Sequence, residues 1–167
     1  MAKKRPNSKA KGGAAEREIC SLLSLWWSGG KDDSMFWRTA SSGGRATVRS
    51  KKQKTTQGHH GDICPTCPEA KPLIDLVTIE VKKGYSSKSV MDLLDRSSKA
   101  AMQTYEDWFL QADRERREAG SKSWLVISKR DRRETLVFFP EELLIALEKG
   151  GAKMYKSVIF PWFEMQF

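Results

Sequence analysis

Leu73-Ile74-Asp75-Leu76-Val77-Thr78-Ile79-Glu80-Val81-Lys82 is the stretch on which the fold turns. It is rich in β-branched residues and nearly continuous in apolarity, as a strand is when helices cover both faces of its sheet. A strand is therefore expected over Leu73–Lys82. Alternate side chains of a strand share a face, so Glu80 and Lys82 point one way and Val81 the other. The strongest strand in the chain thus ends in a carboxylate and an ammonium group side by side.

Downstream, a helical region is expected from about Ser89 to Ala119, with a break near Ser97-Ser98. Leu94, Tyr105, Trp108, Phe109 and Ala112 supply its apolar positions and Gly120 closes it. Ser123–Lys129 and Thr135–Phe139 read as two strands joined by the charged turn Arg130-Asp131-Arg132-Arg133-Glu134. Pro140-Glu141-Glu142 opens a short helix through Leu147, with Pro early, acids in the first turn and Gly150-Gly151 as its stop. The tail from Tyr155 reads as a further strand, and its aromatic part Val158–Phe167 as an edge strand or a dimer contact.

Upstream, Ile19, Leu22, Leu23 and Trp26 recur at helical spacing, giving a helix from Ala14 to about Ser28 that Gly29-Gly30 ends. Met35–Thr39 and Asp62–Cys64 are short strands, separated by the polar, basic loop of residues 40–60. The order helix, strand, loop, strands, helix, strands, helix predicts one α/β domain over residues 14–167: a central mixed β-sheet flanked by helices. Residues 1–13 read as a disordered basic tail.

The 167 residues hold 30 Lys/Arg against 21 Asp/Glu, a net charge of +9. The whole excess sits in residues 1–60, with 13 basic and 4 acidic residues; residues 61–167 carry 17 of each. A polyanionic partner explains such a skew, because cations that neutralise phosphates release condensed counterions. DNA contacts are expected from Lys3, Lys4, Arg5 and Lys9 in the tail and from Arg38, Arg45, Arg49, Lys51, Lys52 and Lys54 around the loop. Lys83 joins them beside the acidic strand. A solvated tail that only aids solubility is the competing reading.

No run approaches the ~18 consecutive apolar residues of a membrane span. The basic N-terminus leads into no apolar segment, so no secretory leader is expected. Three cysteines, Cys20, Cys64 and Cys67, make no disulfide framework. A reducing, intracellular location is expected, cytoplasmic or nucleoid-associated.

Glu80 with a second carboxylate from a neighbouring strand, Asp62, makes a small site for a hard divalent cation, Mg²⁺ or Mn²⁺. The backbone carbonyl of Val81 is a third protein ligand. Such an ion acidifies water and neutralises charge on a phosphate, which is phosphodiester hydrolysis. Lys82 would orient the water or stabilise the pentavalent state, since a lysine near two carboxylates holds its proton. Glu-x-Lys alone is a thin signal, because surface strands often alternate charge. Its conjunction with Gly61-Asp62-Ile63, a helix-borne acid, a basic loop and a basic tail gives it weight.

Lys11–Ile19 (KGGAAEREI), Arg38–Gly44 (RTASSGG), Gly61–Ile63 (GDI) and Ile79–Gly84 (IEVKKG) together resemble the PD-(D/E)XK nuclease superfamily, and within it the archaeal-type Holliday junction resolvases. Phe139-Pro140-Glu141-Glu142-Leu143 continues the likeness, which covers about residues 10–147. The resemblance implies a restriction-endonuclease-like fold and a Mg²⁺-dependent endodeoxyribonuclease acting on branched DNA in recombination and repair. It also implies a homodimer, because resolving a two-fold junction takes two matched cuts. Carried over by position, Asp62 and Glu80 are metal ligands and Lys82 is the catalytic lysine. Glu16 is the helix-borne acid, acting through water or a second ion. Ser41 or Ser42 touches the phosphate, and Gln103 resembles a helix glutamine near the site. Glu18 lies ~200° around the helix from Glu16 and cannot replace it.

Two departures stand out. Gly61 replaces the usual Pro, and the insertion Cys64–Pro72 lengthens the gap to Glu80. Asp75 is then a rival for the metal aspartate. Its odd offset from Glu80 on one strand turns it to the opposite face, which favours Asp62.

Restriction-like, replication-fork and phage-packaging nucleases are alternative readings, as is a catalytically silent DNA-binding module. An RNA reader finds no RNP, KH or dsRBD signature. His59, His60, Cys64 and Cys67 fall within nine residues and would suit tetrahedral zinc, against a proline-braced turn as the simpler account. The two histidines fit better at the mouth of the nuclease site. Trp26, Trp108 and Trp124 are expected in the core. Trp37 is expected there too, with stacking on an unpaired base as its alternative.

Overall fold

The computed structural model describes residues 8–39, 60–93 and 104–150. Lys3, Lys4, Arg5, Ser41, Ser42, Arg45, Arg49, Lys51, Lys52, Lys54, His59, Gln103 and the tail from Gly151 lie outside them, as does the side chain of Lys9.

Helix α1 spans Ser8–Trp27. It starts six residues before the expected Ala14, because its first turns are small and polar and carry no apolar period. Its buried stripe is Ala15, Ile19 and Cys20, continued by Leu23 and Trp27. Leu22 and Trp26 face outward, 55% and 65% exposed, so Trp26 is not a core residue. Two apolar stripes compete on this helix, and tertiary packing chooses the one that carries Trp27. That ring meets Phe36 edge-on at 6.4 Å and donates its indole N–H to the Glu69 carbonyl.

Strand β1 (Phe36–Arg38) pairs antiparallel with β2 (Ile63–Pro65), with Trp37 opposite Cys64 and Arg38 opposite Ile63. Strand alternation buries Phe36 and leaves Trp37 50% exposed, against the expectation that Trp37 is core. A 3₁₀ turn at Pro68–Ala70 leads into helix α2 (Lys71–Leu76), and only then does β3 (Val77–Lys83) begin. The apolar run is therefore split, its first four residues helical rather than extended. Pro72 suits a first helical turn, Lys71 and Asp75 pair at i,i+4, and Leu73 turns inward. A continuous apolar run has no period by which to separate strand from buried helix.

Val90–Leu93 forms a 3₁₀ turn within the helical region expected from Ser89, and helix α3 spans Thr104–Ala119. It connects β3 to the parallel strand β4 (Ser123–Lys129), with Glu80 opposite Val126 and Lys82 opposite Ser128. Strand β5 (Thr135–Phe138) pairs antiparallel with β4, and helix α4 covers Glu141–Lys149. These elements form a restriction-endonuclease-like α/β domain.

The described strands make two sheets, β1-β2 and β3-β4-β5, the larger of them mixed as expected. The Asp62 N–H donates to the Ile79 carbonyl at 2.8 Å, which starts a pairing with β3. Where the next ladder bond would fall, the carboxylate of Asp62 replaces a carbonyl and accepts the Val81 N–H at 2.8 Å. Gly61, at φ 73°, turns the chain there.

The larger sheet packs on both faces. Ala15, Ile19, Phe36, Ile63, Ile79 and Val81 form one core. Tyr105, Trp108, Phe109 and Val126 form the other, where Trp108 is buried as expected and Trp124 stacks on Phe109 at 5.5 Å.

Candidate active site

The end of β3 carries Glu80 and Lys82 on one face, with the Lys82 Nζ 2.6 Å from Glu80 Oε1 and both side chains largely buried. Asp62, just before β2, is buried too, and its Oδ2 is fixed by the Val81 N–H. The N–H and C=O of a strand residue leave on the same edge, so the Val81 carbonyl is directed toward Asp62 rather than β4.

Helix α1 adds Glu16. Arg38 Nε lies 2.8 Å from Glu16 Oε2, yet the N–H is not aligned on the oxygen. Both atoms are buried without a hydrogen bond among the described residues. At Gly13 a Cβ would stand 2.8 Å from Arg38 Nη1, the movable end of a flexible side chain, while at Gly12 it would meet only Glu16 Oε1 at 3.8 Å, an ordinary contact. Arg38, expected to meet DNA, is therefore held by Glu16. Lys83, expected likewise, pairs with Asp131 at 3.0 Å.

Helix α3 contributes two residues that the sequence reading passed over. Gln111 Oε1 accepts from Lys82 Nζ at 2.9 Å, while its Nε2 donates to Glu80 Oε1 at 3.0 Å and Glu115 Oε1 at 2.9 Å. Glu115 Oε2 accepts the Gly61 N–H at 3.0 Å. One chain of hydrogen bonds so joins Lys82, Glu80, Gln111, Glu115 and the residue next to Asp62. The available signal was the spacing of Trp108, Gln111 and Glu115 at i, i+3 and i+7, which puts the two polar residues on the stripe that faces the sheet. Gly61 stands where the resemblance has Pro because a Cβ would fall 2.7 Å from the Ile79 carbonyl.

Burial pushes the Glu80 carboxyl up to about 8; Asp62 and Glu115 add repulsion, while Lys82 opposes. Burial also pushes Asp62 up to about 6, opposed by the Val81 N–H and by Lys82 and reinforced by Glu16 and Glu115. A buried carboxylate pair of this kind is short of positive charge. Asp62 Oδ1 and Glu80 Oε2 make no hydrogen bond among the described residues. No three His, Cys, Asp or Glu side chains there converge tightly enough to hold an ion by themselves. The donors on offer are two carboxylates and a carbonyl, which suits a cation that keeps water and phosphate in its remaining positions.

Other expected residues fall elsewhere. Asp75 sits exposed on α2 with Lys71, away from this cluster. Glu18 pairs with Lys129. His60 Nδ1 faces Glu118 at 3.6 Å. Cys64 lies on β2, its thiol pushed up by burial, and Cys67 packs against the core. With His60 they form no metal-holding group among the described residues.

No helix among the described residues is long and apolar enough to cross a membrane. No curated protein and no solved structure matches the chain. A family model described as "Phage putative PDDEXK endonuclease" matches residues 7–164. That family lies in the superfamily the motifs resemble, whereas the likeness to archaeal-type resolvases has no counterpart in the comparisons. Since the match takes in Glu16, Asp62, Glu80 and Lys82 along with nearly all the rest of the sequence, the chain belongs to the phage PD-(D/E)XK endonuclease family.

Proposed function

We propose that the protein is a Mg²⁺- or Mn²⁺-dependent endodeoxyribonuclease that hydrolyses phosphodiester bonds in branched DNA. The observation that carries this reading is the meeting of Asp62 and Glu80 across the break between the two sheets, with Lys82 bound to one of them.

Asp62, Glu80 and the Val81 carbonyl would hold the cation, and Glu16 would reach it through water or take a second ion. When bound, the ion supplies Lewis-acid activation of water and offsets charge on the phosphate. The chain's own residues do the rest. Lys82 gives two of its three N–H donors to Glu80 and Gln111, which leaves the third for the water or the phosphate. Gln111 and Glu115 hold both strands at one spacing, so that the carboxylates stay in place as the substrate arrives.

The branched substrate is supported by the motif likeness to resolvases and by the cationic excess of residues 1–60. Two matched cuts would come from a homodimer with paired sites. The phage label of the matched family fits DNA structures made during genome replication and packaging, which are the rival substrates.

The test is cleavage of linear, nicked, flapped and four-way DNA with Mg²⁺ or Mn²⁺. Asp62→Ala and Glu80→Ala should each lower the rate by at least about 100-fold while metal-free DNA binding survives. Normal cutting by those variants refutes the site. Equal rates on linear and four-way DNA refute the branch preference alone.

A further inference from the structure

We propose that the β4–β5 turn, through Arg132 and Arg133, together with Lys88 and Tyr85 on the loop after β3, forms a second contact surface for the DNA backbone beside the catalytic lysine. It rests on the nuclease reading and extends it to residues that no motif marks.

Register places the turn. Lys82 sits opposite Ser128, so Arg130 lies two residues farther along the adjacent strand. At about 3.3 Å per residue and about 4.8 Å between strands, its Cα is roughly 8 Å from that of Lys82. The two loops are joined: the Gly84 N–H donates to the Lys129 carbonyl at 3.1 Å, and Arg130 Nη1 to the Lys88 carbonyl at 2.8 Å. They form one rim at the end of the sheet where Lys82 lies.

Charge bookkeeping singles out the rim's free cations. Asp131 answers Lys83, and Glu18 answers Lys129. Arg132, Arg133 and Lys88 are exposed, and their side chains have no ion pair among the described residues. Uncompensated guanidinium groups are suited to phosphate oxygens.

Backbone conformation points the same way. Tyr85 at φ 56° and Arg132 at φ 58° are the two non-glycine residues with positive φ among the described residues, and both lie on this rim. Turn geometry alone would place Gly or Asn there. Strained backbone of this sort gathers at functional sites. Tyr85 packs edge-on against Trp108 at 4.8 Å and is still half exposed, so its ring is fixed while one side stays open to a partner.

The experiment is fluorescence anisotropy of a labelled duplex in EDTA, comparing wild type with Arg132→Gly/Arg133→Ala. Each lost phosphate contact lowers the slope of log K against log salt by about 0.9, so the double variant should lose about 2 between 50 and 200 mM salt. The same relation makes binding about tenfold weaker per contact near 0.1 M salt. Glycine suits the positive φ, so the Tm should not fall and unfolding does not explain the loss. Lys122→Ala, at the far end of β4, should leave the slope unchanged. An unchanged slope in the double variant, or an equal drop in Lys122→Ala, overturns the rim and leaves the nuclease reading standing. Wild type that binds neither this duplex nor a labelled four-way junction in this range overturns the nuclease reading itself.

Discussion

Glu80 is buried where its charged form is costly, and either a proton or a bound cation relieves that cost. Its folded-state carboxyl titrates near 8 against an ordinary 4.5, so between those values the folded chain binds more protons than the unfolded one. Stability then falls as pH rises through that window, by on the order of a few kcal/mol. Asp62 acts with the same sign up to about 6. The metal-free protein should therefore lose Tm from pH 5 to pH 8, and Glu80→Gln should flatten that loss and exceed wild type at pH 8. Added Mg²⁺ or Mn²⁺ should raise the wild-type Tm at pH 8 and leave Glu80→Gln unmoved. A wild-type Tm that is level across the window contradicts the account. At this scale the grouping of Asp62, Glu80 and Lys82 was legible, because strand alternation and motif order bring them together with no reference to the rest of the fold. Gln111 and Glu115 were not, because long polar side chains are ordinary on helices and only the approach of α3 to β3 gives them partners.

Elements were legible wherever a period or a punctuating residue marks them. Strands β4 and β5, helix α4 and the close of α3 at Gly120 fall where Gly, Pro and charged turns put them. The strand expected from Leu73 failed in its first half because apolarity without a period does not distinguish α2 from β3. The face of α1 was half legible: Ile19 and Leu23 pack inward as expected, while Leu22 and Trp26 do not, because two overlapping apolar stripes were present and the packing against Phe36 chose between them. This assignment is testable by chemical denaturation. Ile19→Ala, from the buried stripe, should cost about 2–4 kcal/mol. Leu22→Ala, from the exposed stripe, should stay within about 0.5 kcal/mol. Equal costs would mean that both stripes are covered.

For the whole molecule, charge and chemistry are separated along the chain. Residues 61–167 are neutral overall and build most of the sheet and the acidic site, while residues 1–60 carry the net +9. Removing residues 1–7, with Lys3, Lys4 and Arg5, should lower the salt slope of DNA binding by up to about 3. Because α1 begins at Ser8, the same truncation should leave the Tm where it was. A slope that survives the truncation would assign those lysines and the arginine to solubility alone. The joint between the two sheets has a consequence of its own. Position 62 must satisfy mechanics as well as reactivity: the seam demands a short side chain with an oxygen at one fixed height, which Asp and Asn both offer. Ion capture demands a negative charge, which only Asp supplies, so the architecture and the reaction are inherited through a single oxygen pair.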